Sequence, residues 1–572
     1  MNNQKLSVPL NLALSSSPNE REKSMDLHVG FLPETDRWEI IVKYSGNLDE
    51  ILAPFPDIEK TSLLGGYAIL IVPEPFISIL SQIPTIQFIE KPNRLFFSIN
   101  QARASSCINP VYSPPFSLDG SGIVIGIVDS GIALNHPAFL TVDGETRVEY
   151  YWDQTGDGPA PKGYLFGTEY TKNDINTLLN NNEPLPLDIS GHGTAVAGIA
   201  AGNDLSGTNF YKGIAPNSDL IVVKMKTPSP NSFPKTTELM QGVNYIVEKA
   251  IELQRPLVLN ISFGNNYGSH DGSSLVETYL DEISNLWKIT ICVGSGNEGA
   301  SRIHTSGMLQ NNTPFTVELA IGESETGLNV QIWKSYIDDF DIVLYSPSGM
   351  RYGPIQPILG PQRFPISQTE ILLYYGSPSP FNTSQEIYIE FLPVNTFIDY
   401  GIWNIELIPR NIVIGEFDMW LPGGGQLNEN TGFLFSNPDT TLTIPSASSS
   451  VITVGAYDSA TLSYADFSGR GYTRLTNQVK PDIVAPGVNI LAPTPSLSYD
   501  TFTGTSFATP IVSGSVALLM QWGIVQGNDP YLYGEKAKAY LQKGATPLSV
   551  EATYPNPRLG FGALCLRDSF PV

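Results

Sequence analysis

Three short segments carry residue types that could do chemistry. The first, Ile127-Val128-Asp129-Ser130-Gly131, sets a carboxylate at the end of an apolar run. In an open α/β sheet, active sites lie at the C-terminal edge of such strands. Asp129 could equally cap the turn before Gly131. The second, Gly191-His192-Gly193-Thr194-Ala195-Val196-Ala197-Gly198, begins a helix of small residues with an imidazole between glycines. A surface histidine at a helix start is the plainer alternative, but the glycines would then cost helix stability for nothing. The third, Gly504-Thr505-Ser506-Phe507-Ala508-Thr509-Pro510, stands Ser506 at the head of an apolar helix. Serine there is commonly an N-cap. It could also be a nucleophile whose oxyanion is held by the free N–H groups of the helix start. Phosphate binding fits poorly, because the segment is neither GxGxxG nor a Walker loop.

The elements around these segments define the fold. The run 122–128 is continuously apolar, as expected for a strand buried on both faces. Segments 220–224, 257–261, 289–293 and 451–454 repeat that character. Helical stretches lie at 193–201, 236–254, 274–286 and 505–522. Strands alternating with helices mean a parallel α/β sheet with helices on both faces. From about 309 to 440 the alternation stops. Short strands at 316–321, 329–333, 340–345, 371–375, 386–391, 402–407 and 416–420 are separated by turn clusters, which reads as an inserted all-β sandwich or jelly roll. Before residue 100, strands at 38–44, 67–72 and 86–90 with a helix at 76–83 form a small α+β unit, and the first 20 residues read as a loose polar tail.

Composition narrows the partners. Lys and Arg number 32 against 56 Asp and Glu, a net charge of −24. That disfavours nucleic acid and anionic membrane surfaces, both of which need a basic face. No run of 18 apolar residues appears, so no membrane span is expected, and residues 1–9 lack the apolar core of an export signal. Synthesis in the cytoplasm follows as the expectation. The three cysteines, Cys107, Cys292 and Cys565, form no CxxC and read as buried thiols rather than a disulfide framework or zinc site.

The chain order Asp129, His192, Ser506 is neither the chymotrypsin nor the α/β-hydrolase order. With it, the chain resembles the subtilases, the S8 serine peptidases, over about 100–308 and 441–572. The resemblance implies a serine endopeptidase of protein or peptide substrates. Ser506 would be the nucleophile, His192 the general base and then acid, and Asp129 the residue that orients the imidazole. The segment Gly294-Ser295-Gly296-Asn297-Glu298-Gly299 resembles the oxyanion-hole segment, with Asn297 as side-chain donor. Ser262-Phe263-Gly264 and Gly294–Gly296 resemble the two walls that hold the substrate. Phe507 and Thr509 depart from the Met and Ser common in secreted subtilases.

The same resemblance assigns domains: a propeptide over 1–101 with a ferredoxin-like fold, a catalytic domain over 102–308 and 441–572, and the β insertion over 309–440. It implies self-cleavage near Gln101 and Ala102, with the propeptide retained as an inhibitor. No cofactor is required, no metal ligands are assigned, and structural calcium stays open. Propeptide and insertion together look like the Csp proteases of clostridial spores, which activate a precursor of a cortex-lytic enzyme during germination. That implies a spore location and a monomer. Because some Csp proteins are pseudoproteases, a catalytically silent, propeptide-plugged scaffold is the competing expectation.

Overall fold

A computed structural model describes residues 4–93, 104–205, 211–226, 233–423, 425–548 and 553–571. The chain divides into two compact units. One holds residues 1–94, 265–275 and 300–440, and the other 95–264, 276–299 and 441–572.

The second unit is built on a nine-stranded, mostly parallel sheet. Val124–Asp129 sits in the middle, paired in parallel with Asp219–Lys224 on one side and Leu257–Ile261 on the other. Beyond Leu257–Ile261 come Ile289–Gly294 and Ile452–Asp458. The strand order therefore turns around at Val124–Asp129, and Asp129 is its last residue. That is the crevice where open α/β sheets place their sites. Every residue of this strand is buried, because helices cover both faces. On one face, Ile125 and Ile127 join a core with Ala195, Val196, Ile511 and Val512 from helices His192–Ala201 and Thr505–Met520. On the other face, Thr236–Glu252 lies so close that a Cβ on Gly126 would stand 2.5 Å from Ile246.

The stretch Thr505–Val525 is long and apolar enough to cross a bilayer by length and composition, yet most of it is buried within the protein core. The cysteine reading needs correction. Cys107 and Cys565 are joined in a disulfide across 458 residues of chain, and only Cys292 is a buried free thiol. An odd count without CxxC argues against a framework, but it is silent on one bond between distant segments that the fold brings together.

The first unit combines two modules. The N-terminal one has the strand order Glu59–Leu63, Tyr67–Pro73, Arg37–Tyr44, Ile86–Glu90, all antiparallel, with helices Leu48–Leu52 and Glu74–Gln82 in the connections. This is the ferredoxin-like arrangement. The β insertion is a six-stranded sheet and a five-stranded sheet around a shared apolar core that includes Trp403, Phe391 and Phe340. Its strand pairing already starts at His304–Met308, which joins Glu416–Trp420.

From residue 4 on, the N-terminal segment is folded into helices and is not a tail. Ser7 caps helix Val8–Ser15, and Ser17 with Glu20 forms a capping box on Pro18–Lys23. The polar look of these residues is capping chemistry. Leu10 and Leu12 are buried in one core with Leu372, Tyr374, Tyr388 and Leu392 of the insertion.

That shared core also takes in acidic groups from both modules. Glu390 accepts a hydrogen bond from the Ser24 hydroxyl. Burial pushes its carboxyl up to about 8, reinforced by the charge of Asp26. Asp26 accepts from the Tyr267 hydroxyl and the Asn329 amide, each at 2.7 Å. Glu386 is pushed to about 8 by burial and by Glu90, and Glu90 to about 7 by burial, with Lys91 as the nearby cation. These carboxyls hold protons in the folded state to higher pH than their unfolded value of 4.5. The folded state binds more protons through that window, so stability is present at low pH and is lost as pH rises toward 8. Thermal melts of the full chain should therefore show this unit melting several degrees lower at about pH 9 than at about pH 5, with a flatter profile for the Glu386→Gln/Glu390→Gln double variant. Identical pH profiles for the two proteins would contradict this account.

Candidate active site

The three sequence segments meet in the second unit. Asp129 ends its strand fully buried, and its Oδ1 accepts from His192 Nδ1 at 2.7 Å and from the Ser130 N–H at 2.8 Å. Burial raises the Asp129 carboxyl, while His192 opposes that shift through its charge and hydrogen bond. The imidazole is 2% exposed. Its ring lies between two aromatic neighbours, Phe263 at 5.7 Å and Phe507 edge-on at 5.3 Å between centroids. Phe507 is one of the departures noted in the sequence. Its ring in turn stacks on Phe502, with centroids 5.8 Å apart.

Ser506 occupies the first turn of Thr505–Met520. The N-cap position of this helix is Gly504, so the N-cap reading of Ser506 does not hold. Instead its Oγ–H donates to the Ser262 carbonyl at 3.1 Å, and the Ser262 hydroxyl donates back to the Ser506 carbonyl at 3.0 Å. Asn297 sits beside the same helix start. Its Oδ1 accepts from the Thr505 N–H at 2.9 Å and the Thr505 hydroxyl at 3.2 Å. With the oxygen so committed, the amide presents its NH2 as the donor end.

The proposed substrate segments flank this point. Gly264 and Gly296 approach the same residue: a Cβ on either would fall within 2.4 Å of Thr443. Gly296 also needs φ +94°, open to glycine alone without strain. Gly294 faces Thr505 and Thr509 of the helix that carries Ser506, while the Ser295 N–H and C=O bond to Val454 and Thr443. Gln101 and Ala102 lie outside the described residues. Among the described residues, no three His, Cys, Asp or Glu side chains cluster as a metal site would.

Two residues escaped sequence reasoning. Thr443, on neither quoted motif, lies between the glycine walls, and its hydroxyl is buried without a hydrogen-bond partner. Asp188 is buried four residues before His192. The helix N-cap, Gly191, has no side chain and a φ of +76°, so Asp188 reaches in to accept from the Gly191 N–H at 3.0 Å and the Thr194 N–H at 2.9 Å. An acid shortly before a helix headed by a glycine is the signal that could have found it.

The chain belongs to the subtilase family, whose model matches residues 120–355 and 428–562. The model of the Csp protease B prodomain matches residues 4–93. Among solved structures, the CspB protease of Clostridium perfringens is 39% identical with a TM-score of 0.76, covering 81% of this chain and 95% of that one. Curated relatives include the minor extracellular protease Vpr of Bacillus subtilis, 24% identical over 480 residues, 78% of this chain and 51% of that protein. The serine protease AprX of Bacillus subtilis is 35% identical over 158 residues, 24% of this chain and 33% of AprX. The chain thus spans about half the length of Vpr.

Gly193 tests how tightly the site is assembled. A Cβ there would stand 2.2 Å from the Gly131 carbonyl oxygen and 3.0 Å from Asp129 Oδ1. Gly193→Ala should push the histidine helix off the Asp129 turn and cost about 1–3 kcal/mol of stability. Urea denaturation of the two proteins checks this, and an unchanged midpoint would refute the close approach.

Proposed function

We propose that this protein is a serine endopeptidase working through Asp129, His192 and Ser506. The observation that carries the reading is the buried 2.7 Å bond between Asp129 and His192. It lies at the sheet's switch point, with residues adjoining both Ser506 and its carbonyl partner packed on the imidazole. On substrate binding the Ser506 hydroxyl turns from the Ser262 carbonyl toward His192. Its proton passes to Nε2 as Oγ attacks the scissile carbonyl carbon. Asp129 stabilises the imidazolium that forms. The carbonyl oxygen becomes an oxyanion, held by the Asn297 NH2 and the Ser506 backbone N–H. The tetrahedral intermediate collapses as His192 gives its proton to the leaving amine. Water then repeats the sequence on the acyl-enzyme. Ser262–Gly264 and Gly294–Gly296 bind the substrate in extended form by strand addition.

Residues 1–101 act as a propeptide, cleaved near Gln101–Ala102 by the chain's own site and then kept as an inhibitor. The core shared by the N-terminal module and the insertion supports retention, because cutting the connection removes none of those contacts. The likeness to the CspB protease supports a physiological role in activating a precursor protein, such as a spore cortex-lytic enzyme, during germination. On this reading the protein is made in the cytoplasm, carried in the spore, monomeric, and in need of no cofactor.

The wild-type chain should separate under denaturing conditions into pieces of roughly 11 and 51 kDa at about 110 Da per residue, and Ser506→Ala should stay whole. Asn297→Ala should slow the cleavage by about 10²–10³-fold, the usual cost of one oxyanion donor. Intact-mass measurement over time reads both. A wild-type chain still whole after long incubation would favour the silent, propeptide-plugged scaffold.

A further inference from the structure

Asp188 does more than cap a helix. Its carboxylate is ringed by donors. Besides the Gly191 and Thr194 N–H groups, it accepts from the Thr194 hydroxyl at 2.7 Å, the Ser190 hydroxyl at 3.4 Å and the Ser130 hydroxyl at 2.8 Å. The Thr194 oxygen accepts in turn from the Ala133 N–H at 3.0 Å. Asp188 therefore ties the start of the histidine helix to the turn that follows Asp129.

Ser130 is the junction. Its oxygen accepts from the Gly193 N–H at 2.9 Å, and it stands 2.8 Å from Asp188 Oδ1 and 3.2 Å from Asp129 Oδ1. A hydroxyl has one proton to give. The shorter, charge-assisted contact commits that proton to Asp188. Asp129 Oδ1 is then left with two close donors, His192 Nδ1 and the Ser130 N–H. If the Ser130 proton turned to Asp129 instead, three donors would compete for that oxygen and weaken its hold on the imidazole. The other ionisable groups of this corner are Tyr151, whose hydroxyl is 3.1 Å from the Cβ position of Gly131, and the Lys224–Asp153 pair at 3.1 Å.

We propose that Asp188 is a positioning residue for the triad, acting through Ser130 to reserve Asp129 Oδ1 for His192 and adding a second negative charge near the imidazole. This rests on the serine-peptidase reading above. A helix cap needs only the Gly191 and Thr194 contacts. The Ser130 bridge is the part that reaches the triad.

The test is the rate at which a fluorophosphonate labels Ser506, measured against pH, because labelling needs His192 as base and no natural substrate. Asp188→Asn should label about tenfold more slowly. Its acid limb should move down by about half to one pH unit, since an imidazolium with less negative charge nearby loses its proton at lower pH. Ser130→Ala keeps the charge of Asp188 and breaks only the bridge. It should slow labelling several-fold with the limb in place, and Ser130→Thr, which retains the hydroxyl, should restore most of the rate. A folded Asp188→Asn protein with the wild-type limb would overturn the proposal. If Asp188→Asn does not fold, the serine pair decides: equal labelling of the Ala and Thr variants overturns it, and recovery in Thr alone supports it. A wild-type protein that takes no label would instead remove the peptidase reading, and this proposal with it.

Discussion

The site depends on one contact made out of water. Asp129 is fully buried, and a carboxylate in such a place is costly unless its partner shares the charge. His192 is that partner, at 2.7 Å. A catalytic constellation must hold its geometry to within about 0.5 Å, and the surroundings are built to do so. The strand order reverses at Asp129, which opens the crevice. Glycine at 193 lets the histidine helix come down onto the Asp129 turn. Asp188, Ser130 and Thr194 lock that turn to the helix start. The second long helix then brings Ser506 and Asn297 to the same corner through Thr505.

Buried acids are used in two ways. In the catalytic unit Asp129 Oδ1 and the Asp188 carboxylate are held by hydrogen bonds. Asp129 and Asp188 together draw donors from both sides of one turn. In the other unit two buried glutamates have few donors. Glu386 and Glu390 keep their protons where the N-terminal module and the insertion share a core. The first arrangement fixes geometry. The second makes the hold between two modules depend on protonation.

Much of this was legible in the sequence, and for definite reasons. The buried strands announce themselves as apolar runs; Asp129 ends one of them, and His192 and Ser506 stand at the heads of apolar, small-residue helices. Seven insertion strands were readable from alternation and turn clusters. Strands Arg351–Ile355 and Gly360–Ile366 were not, because their prolines and charged residues hide the pattern. The first 20 residues look like a tail because serines and asparagines are interspersed among the leucines, and two of those serines, Ser7 and Ser17, are helix caps. The Cys107–Cys565 bond and the place of Thr443 between Gly264 and Gly296 are long-range facts, and no local window holds both partners.

The most direct test of the central claim is a crystal structure of the protein after treatment with a fluorophosphonate. The account predicts phosphorus bonded to Ser506 Oγ. One phosphonyl oxygen should lie within hydrogen-bond distance of both the Asn297 NH2 and the Ser506 N–H, with the Asp129–His192 bond intact behind them. A label on another residue, or an oxygen turned away from Asn297, would contradict it.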